Sequence, residues 1–507
     1  GTNNGDYMIC YYNKDVCTVE GIGGASDSAM ALTSDELCNG LPEDFNSSVW
    51  TAGSYSVVTD SENEKMRSAK HTFPSLTGVG DAYSVSEKQY NFKIDGEDDI
   101  WQEYTLISTA EEFKALGENS SAWDKNYVLG ADIDLGGAEI TPIGNGDTAF
   151  TGKFSGDGHT VSNFKINMKN SVRRVGLFGS NSGLIMDLGV ENAEVKVGTE
   201  IGGVCGYNTG TIANCYNAGT VSGNSSVGGV CGMNEGTITN CYNTGAVSSI
   251  GTAGGVCGAN FGGTVTNCYN EGTVNGDNGV GGVCGYNHCE SGNGTVENCY
   301  NTGAVSGDSA VGGVCGDNDN GYIENCYNTG TVSGSDKVGG VCGNGYSSTI
   351  RNCYYNKDIC TVGGINGSDT GNVRGLTTDE LCGELPTGFS SSVWTKGGFT
   401  AVIDSDNSKF RTAKSILPSL TGVGKAYSVS DIKQYNFGIN GNDDWQEYTL
   451  ISTAEEFKAL TKDGADWKKN YVLGADIDLG GAEITPIGNG DTAFTGKFSG
   501  DGHIVSN

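Results

Sequence analysis

Four side chains have types and spacing that could do chemistry, and all four occur twice. Asp132, Asp134, Asp157 and His159 return as Asp476, Asp478, Asp501 and His503. Two carboxylates can act as acid and base on a glycosidic bond, which makes polysaccharide processing the enzymatic reading. Hard oxygen ligands could instead hold calcium, with Asp132, Asp134 and Asp157 as the ligand set. The local sequence argues against the catalytic reading. Asp-Ile-Asp and Gly-Asp-Gly-His lie among turn residues, where Asp side chains cap backbone amides. A site repeated within one chain also suits a structural motif better than a catalytic one. No residue is assigned a catalytic role, and no cofactor is expected apart from calcium. There is no Walker loop and no Gly-x-Ser-x-Gly elbow. His71 becomes Ser415 in the second copy, which leaves it no role.

The chain also has 18 Cys against 4 His. Most of the cysteines recur as couples: Cys205 with Cys215, Cys231 with Cys241, Cys257 with Cys268, Cys284 with Cys299, Cys315 with Cys326, and Cys342 with Cys353. The paired recurrence favours one disulfide within each couple. Cys17 with Cys38 and Cys360 with Cys382 recur in the same way and are expected to pair. Cys10 and Cys289 are left over as unpaired. Two alternatives stay open: bonds between equivalent cysteines of neighbouring repeats, and free thiols buried as small hydrophobes. Without a Cys-x-x-Cys and with so few His, a zinc ladder is poorly supported. This many cysteines point to an oxidising, extracellular compartment.

The elements that must position these residues are repeats. Ile201-Gly-Gly-Val-Cys205-Gly recurs at Cys231, Cys257, Cys284, Cys315 and Cys342. Thr211-Ile-Ala-Asn-Cys215-Tyr-Asn recurs at Cys241, Cys268, Cys299, Cys326 and Cys353. Each time a third run follows, as in Gly219-Thr-Val-Ser-Gly223. The unit is 26 or 27 residues, stretched to 31 once by an insertion around His288 and Cys289. Three short β-prone runs per unit, parted by Gly and Asn turns, predict one coil of a parallel β-helix with left-handed Gly and Asn at its corners. Coils stack at ~4.8 Å, so equivalent residues form ladders. One coil cannot bury its apolar face, but a stack can. The fold class is therefore all-β: a right-handed parallel β-helix (solenoid) with ~26-residue three-strand coils, plus short helix-containing cap and junction segments.

A second period of about 343–344 residues is superimposed. Trp101–Phe113 returns as Trp445–Phe457, and Asn126–His159 almost unchanged as Asn470–His503. The chain starts at Gly1 without Met and stops at Asn507 in mid-pattern, as expected for a window on a longer protein. The boundaries read as follows: 1–80, the tail of a preceding module; 81–103, a junction; 104–200, an opening cap helix and first coils; 201–360, six disulfide-bearing coils; 361–424, a closing segment; and 425–507, the start of the next module. Thr377-Thr-Asp-Glu380 and Ser108-Thr-Ala-Glu111 carry the capping-box pattern and predict short helices. Phe113 and Leu116 would cover an open end of the stack. All six Trp (50, 101, 123, 394, 445 and 467) lie outside the repeats and are expected to pack caps and junctions. Sugar stacking is the sharper alternative.

A net charge of −32 repels phosphate backbones and anionic lipid, which argues against nucleic-acid and membrane-surface binding. No apolar run approaches the ~20 residues needed to span a bilayer.

The pattern Gly-Gly-Val-Cys-Gly…Gly-Thr-Ile-x-Asn-Cys-Tyr-Asn-x-Gly-x-Val resembles the GLUG-motif repeats of bacterial surface and secreted proteins. Leu129–Leu135, Thr141–Gly144, Phe154–His159 and Val175–Gly179 resemble the opening coils that accompany them. The resemblance spans roughly residues 104–360 and 448–507. It implies a right-handed β-helix in adhesin-like, extracellular or cell-surface proteins, where the repeats serve as scaffold. Some family members carry an enzyme domain beside the repeats, and none is visible here. The expectation is a structural, non-enzymatic solenoid in a tandem-repeat fibre or stalk, whose partners are further copies of its own module. An adhesin for host or matrix glycans or proteins is the runner-up. The row Tyr216, Tyr242, Tyr269, Tyr300 and Tyr327 discriminates: exposed, it would favour binding, and buried, it is core.

Overall fold

A computed structural model describes residues 10–13, 29–32, 36, 47, 50–52, 54–76, 84–94, 98–167, 172–196, 198–289, 294–424, 428–438, 443–462, 467–488 and 493–507. Two compact units divide the chain: Gly1–Ser222 with Val230–Ile238, and Gly223–Gly229 with Thr239–Asn507.

Both units are built from short parallel strands stacked in register, a parallel β-solenoid. In the first, Phe178 lies beside Cys205 and Cys205 beside Cys231, while Ile185 lies beside Ile212 on another wall. In the second, Val265, Val296, Ile323 and Ile350 form one continuous row and Val247, Val274, Val305 and Val332 another. These rows are the core: Val265, Val296 and Ile323 are fully buried. Burying such side chains is the main stabilisation a stack offers, at roughly 25 cal/mol per Å².

The coil differs from the expected three strands. It holds five shorter ones, as in Cys257–Phe261, Thr264–Thr266, Tyr269–Asn270, Val274–Asn275 and Asn278–Gly281. One extra break comes from Asn267, whose φ of 54° turns the chain between Thr266 and Tyr269; Asn240, Asn298, Asn325 and Asn352 repeat it. The other falls at the Gly-Gly pair, for a different reason from the one expected. A Cβ on Gly281 would lie 1.9 Å from the Cys284 carbonyl oxygen and 2.7 Å from the Gly316 nitrogen of the next coil. That corner needs glycine for close approach; the left-handed corner belongs to asparagine.

A second asparagine per motif is buried and was not anticipated. Asn243 donates to Asn270, Asn270 to Asn301 and Asn301 to Asn328, each at 2.8 Å. Asn260, Asn287 and Asn318 form a second ladder at 2.8 and 2.7 Å. Each amide also donates to a backbone carbonyl, as Asn301 does to Gly303, so these buried polar groups are satisfied.

The cap helix is present at Ala110–Glu118, but its capping box is Thr109 with Glu112, one residue later than the pattern at Ser108 suggested. Glu112 has the reach to close on the Ser108 and Thr109 amides. Phe113 and Leu116 are buried, with Phe113 edge-on to Phe154 at 6.2 Å. The Thr377–Glu380 box forms where expected. Between coil blocks the chain makes an element the sequence did not suggest, a four-stranded antiparallel sheet. It comprises Ser54–Thr59, Met66–Thr72, Ser84–Asn91 and Trp101–Glu103 in the first unit. Gly398–Ile403, Phe410–Ile416, Ser428–Asn436 and Trp445–Glu447 repeat it in the second.

Candidate functional site

The repeated aspartates divide among separate tasks and are not gathered around one point. Asp132 accepts the Thr160 amide at 2.9 Å and contacts His159 Nδ1 at 3.2 Å. Asp134 accepts the Gly136 amide at 2.8 Å and Asn163 Nδ2 at 2.9 Å. Asp476 and Asp478 do the same, with the Ile504 amide and His503, and with the Gly480 amide and Asn507. The backbone N–H bonds, seconded by these side chains, hold Asp132 and Asp134 below the usual carboxylate range. These two carboxylates cap turns. Among the described residues no three His, Cys, Asp or Glu side chains converge as a metal site, so the calcium set Asp132, Asp134 and Asp157 is not assembled.

Asp157 has a different role, which builds a docking site. It sits in a left-handed turn with Gly158, at φ 50° and 87°. From there it accepts Tyr90 Oη at 2.8 Å and Asn63 Nδ2, with Lys65 Nζ at 3.8 Å. Lys65 also pairs with Asp187 at 2.7 Å. Tyr90 lies on a strand of the antiparallel sheet, and Asn63 and Lys65 in the turn joining two of its strands, so that sheet is fastened to the coils that follow it. Apolar contact surrounds the polar one: Tyr90 and Phe92 pack with Val128, Leu184, Met186 and Ala213. Lys65 supplies positive charge between Asp157 and Asp187.

The second unit repeats this site. Asp501 accepts Asn407 Nδ2 at 2.8 Å, Tyr435 Oη at 2.8 Å and Lys409 Nζ at 2.9 Å. Burial pushes its carboxyl up, but Lys409, Tyr435 and Asn407 outweigh that and hold it below its ordinary value. The other end of the same ribbon is docked as well. Trp394–Thr395 pairs with Ser419–Leu420, and Trp394 packs at 5.7 Å from Tyr327 and 6.1 Å from Tyr300. Tyr327 Oη donates to the Pro418 carbonyl and Tyr354 Oη to that of Thr387.

The tyrosine row is therefore core in this unit. Tyr242, Tyr269, Tyr300 and Tyr327 stack nearly parallel at 4.8, 4.8 and 5.1 Å. The closing segment buries the last three. In the first unit Tyr216 is half-buried and donates to Glu191. Trp123, Trp394 and Trp467 are buried; Trp101 and Trp445 carry guanidinium groups of Arg67 and Arg411 at 4.1 and 4.3 Å. The side chain of Trp50 lies outside the described residues.

No disulfide joins the described cysteines, so the expected pairs Cys205–Cys215, Cys231–Cys241, Cys257–Cys268, Cys284–Cys299, Cys315–Cys326, Cys342–Cys353 and Cys360–Cys382 are not formed here. The reason is geometric. The first cysteine of each couple belongs to one wall, where Cys257, Cys284, Cys315 and Cys342 lie in register. The second belongs to another row, where the sulfur neighbours of Cys299 are Cys268 and Cys326. Burial pushes Cys268, Cys299, Cys326 and Cys353 well up, so they remain neutral donors. Cys17, Cys38 and the Cys10 side chain lie outside the described residues. Cys289 forms no disulfide and is half-buried beside the insertion. There His288 meets Asp319 at 3.2 Å and stacks with Tyr286.

Coils, ladders and docked ribbons together define a parallel β-solenoid repeat protein. Residues 307–333 match the family described as the GLUG motif. The chain thus carries the GLUG motif within its repeats. It is 36% identical over 133 residues to Halomucin of Haloquadratum walsbyi, covering 24% of this chain and 1% of that protein. The chain thus spans a small fraction of the curated relative's length. Among solved structures, it is similar to a Bacteroides ovatus crystal structure, "putative immunoglobulin A1 protease", at 25% identity and a TM-score of 0.39, covering 58% of this chain and 89% of that one. No described helix is long and apolar enough to cross a membrane.

Proposed function

We propose that this chain is a structural spacer: tandem solenoid modules of an extracellular or cell-surface fibre or stalk, with no catalytic duty. The observation that supports it most is the ribbon Trp394–Asn436. One end lies on the last coils of a module through Trp394, and the other on the first coils of the next through Asp501. The strand Phe410–Ile416 runs between the two, long enough to reach ~23 Å. A flexible linker needs neither contact; a splint needs both. The partners on this reading are further modules of the same kind.

Hydrogen–deuterium exchange on the whole chain tests it. Amides of Phe410–Ile416 should exchange as slowly as those of Cys284–His288, about a hundredfold slower than a free hairpin. Exchange at the rate of a free hairpin would remove the splint. Proteinase K shaving of intact producing cells tests the location, and an intact intracellular pool would refute it.

Adhesion is the second reading, supported by the aromatic and acidic cluster Phe261, Tyr286, His288 and Asp319 at the insertion, with Tyr346 exposed beside Asp319. Glycan-array binding lost on Tyr286→Ala would promote it. Polysaccharide processing is the remote alternative; turnover lost with Asp132→Ala would establish it.

A further inference from the structure

Two rows of buried cysteines run along the solenoid wall in the second unit. Cys257, Cys284, Cys315 and Cys342 lie in register on consecutive coils, and all are fully buried. Each Sγ points along its own strand to a carbonyl two residues on, as Cys284 does to Tyr286 at 3.3 Å. Cys268, Cys299, Cys326 and Cys353 point back instead, each to a carbonyl two residues earlier at 3.1 Å. The Cys299 amide lies 3.4 Å from the Cys326 sulfur. Cys299, Cys326 and Cys353 also reach carbonyls of the preceding coil, those of Val265, Val296 and Ile323, at 3.7, 3.7 and 3.8 Å. Every inner thiol has an equivalent thiol one coil above and one coil below.

We infer that these rows are sites of disulfide formation between neighbouring coils, such as Cys257–Cys284, Cys315–Cys342 and Cys268–Cys299, and not within a coil. The ~4.8 Å spacing of paired strands falls inside the 4.4–6.8 Å Cα range of disulfides. Forming the bond requires that two side chains turn from the carbonyls they contact toward each other. The inference rests on the extracellular reading for its oxidant, a small-molecule disulfide. A cysteine thiolate attacks that disulfide, whose S–S bond breaks and releases one thiol. The neighbouring cysteine then attacks the mixed disulfide and releases the second. Two protein thiols lose two electrons and two protons, and the oxidant becomes two thiols. Because the sulfurs are wholly buried, the exchange belongs to folding, before the stack closes over them.

The test is refolding of the full chain with oxidised and reduced glutathione, followed by non-reducing peptide mapping. Pepsin is the protease of choice: it works at a pH where exchange stops, and no Lys or Arg lies between Lys196 and Lys337 for trypsin. Linked peptides joining cysteines one coil apart, such as Cys268 with Cys299, are the expected result. Links within a coil, such as Cys257 with Cys268, would overturn the inference. So would a chain that refolds with its thiols free or capped by glutathione. Protein that links between coils in vitro but is recovered fully reduced from its cells would leave this geometry standing and count against the extracellular reading.

Discussion

Tyr435 donates its hydroxyl to Asp501 at 2.8 Å, as Tyr90 does to Asp157 at 2.8 Å, although the two tyrosines sit on strands of unequal length. Ser428–Asn436 has nine residues where Ser84–Asn91 has eight. The extra residue is absorbed by a register shift between Ala413 and Ser415, upstream of the contact. A bulge re-aims a strand at local cost, and here it leaves the tyrosine on its aspartate. The contact is held while the strand that carries it changes length.

The docking at Asp501 should depend on pH with a definite sign. Its folded pKa lies below the ordinary carboxylate value of about 3.9. Its contribution is therefore complete above about pH 4 and is lost as pH falls through the lower folded value. Exchange protection of Phe410–Ile416 should fall in that acidic window in the wild type. In Asp501→Asn, protection should already be weaker at pH 7, by about 1–3 kcal/mol for a lost charged hydrogen-bond partner, with this acidic step gone. An unchanged step in the variant would show that other groups control it.

Tyr300 and Tyr327 are neighbours in one stack, yet their hydroxyls should respond oppositely to removal. Tyr327 Oη donates to the Pro418 carbonyl, whereas Tyr300 Oη is buried without a partner. Tyr327→Phe should cost about 1 kcal/mol, and Tyr300→Phe should be neutral or slightly stabilising. Denaturant midpoints of the two variants check this, and equal losses would contradict it.

The ladders were legible in the sequence because in-register stacking places equivalent residues side by side. Recurrence of Tyr269, Tyr300 and Tyr327 is already a contact list, and their burial then follows from the closing segment. What was illegible depends on partners far along the chain. Ser54–Thr59 is almost wholly exposed and shows no alternation, so nothing local marks its sheet. Asp157 reads as a turn residue because its donors, Asn63 and Tyr90, lie many residues earlier. Cys205 and Cys215 look like a pair because spacing does not reveal that they stand in different rows. The Gly-Gly break is set by the backbone of the next coil, which no single repeat contains.

Asn301 should be far more costly to replace than its polar type suggests. It accepts from Asn270, donates to Asn328 and donates to the Gly303 carbonyl, all while buried. Asn301→Ala removes one side chain but strands groups on both neighbouring coils, each costing about 1–3 kcal/mol. A loss above about 2 kcal/mol in urea unfolding is expected. A loss under 0.5 kcal/mol, typical of a surface site, would mean the ladder does not stabilise the stack.

Two glycine substitutions should separate conformational preference from space. A Cβ on Gly312 would lie 1.9 Å from the Cys315 carbonyl oxygen and 2.7 Å from the Gly343 nitrogen, whereas one on Gly371 would meet nothing within 4 Å. Both changes remove the same chain entropy from the unfolded state, which alone favours alanine by about 0.4–1 kcal/mol. Gly371→Ala should therefore be neutral or stabilising. Gly312→Ala must push apart two coils whose backbones already touch, so it should lower the unfolding midpoint and raise amide exchange in Cys315–Asp319 and Cys342–Tyr346. Equal behaviour of the two variants would mean that the motif glycine is retained for backbone freedom, and that close stacking of coils is not what demands it.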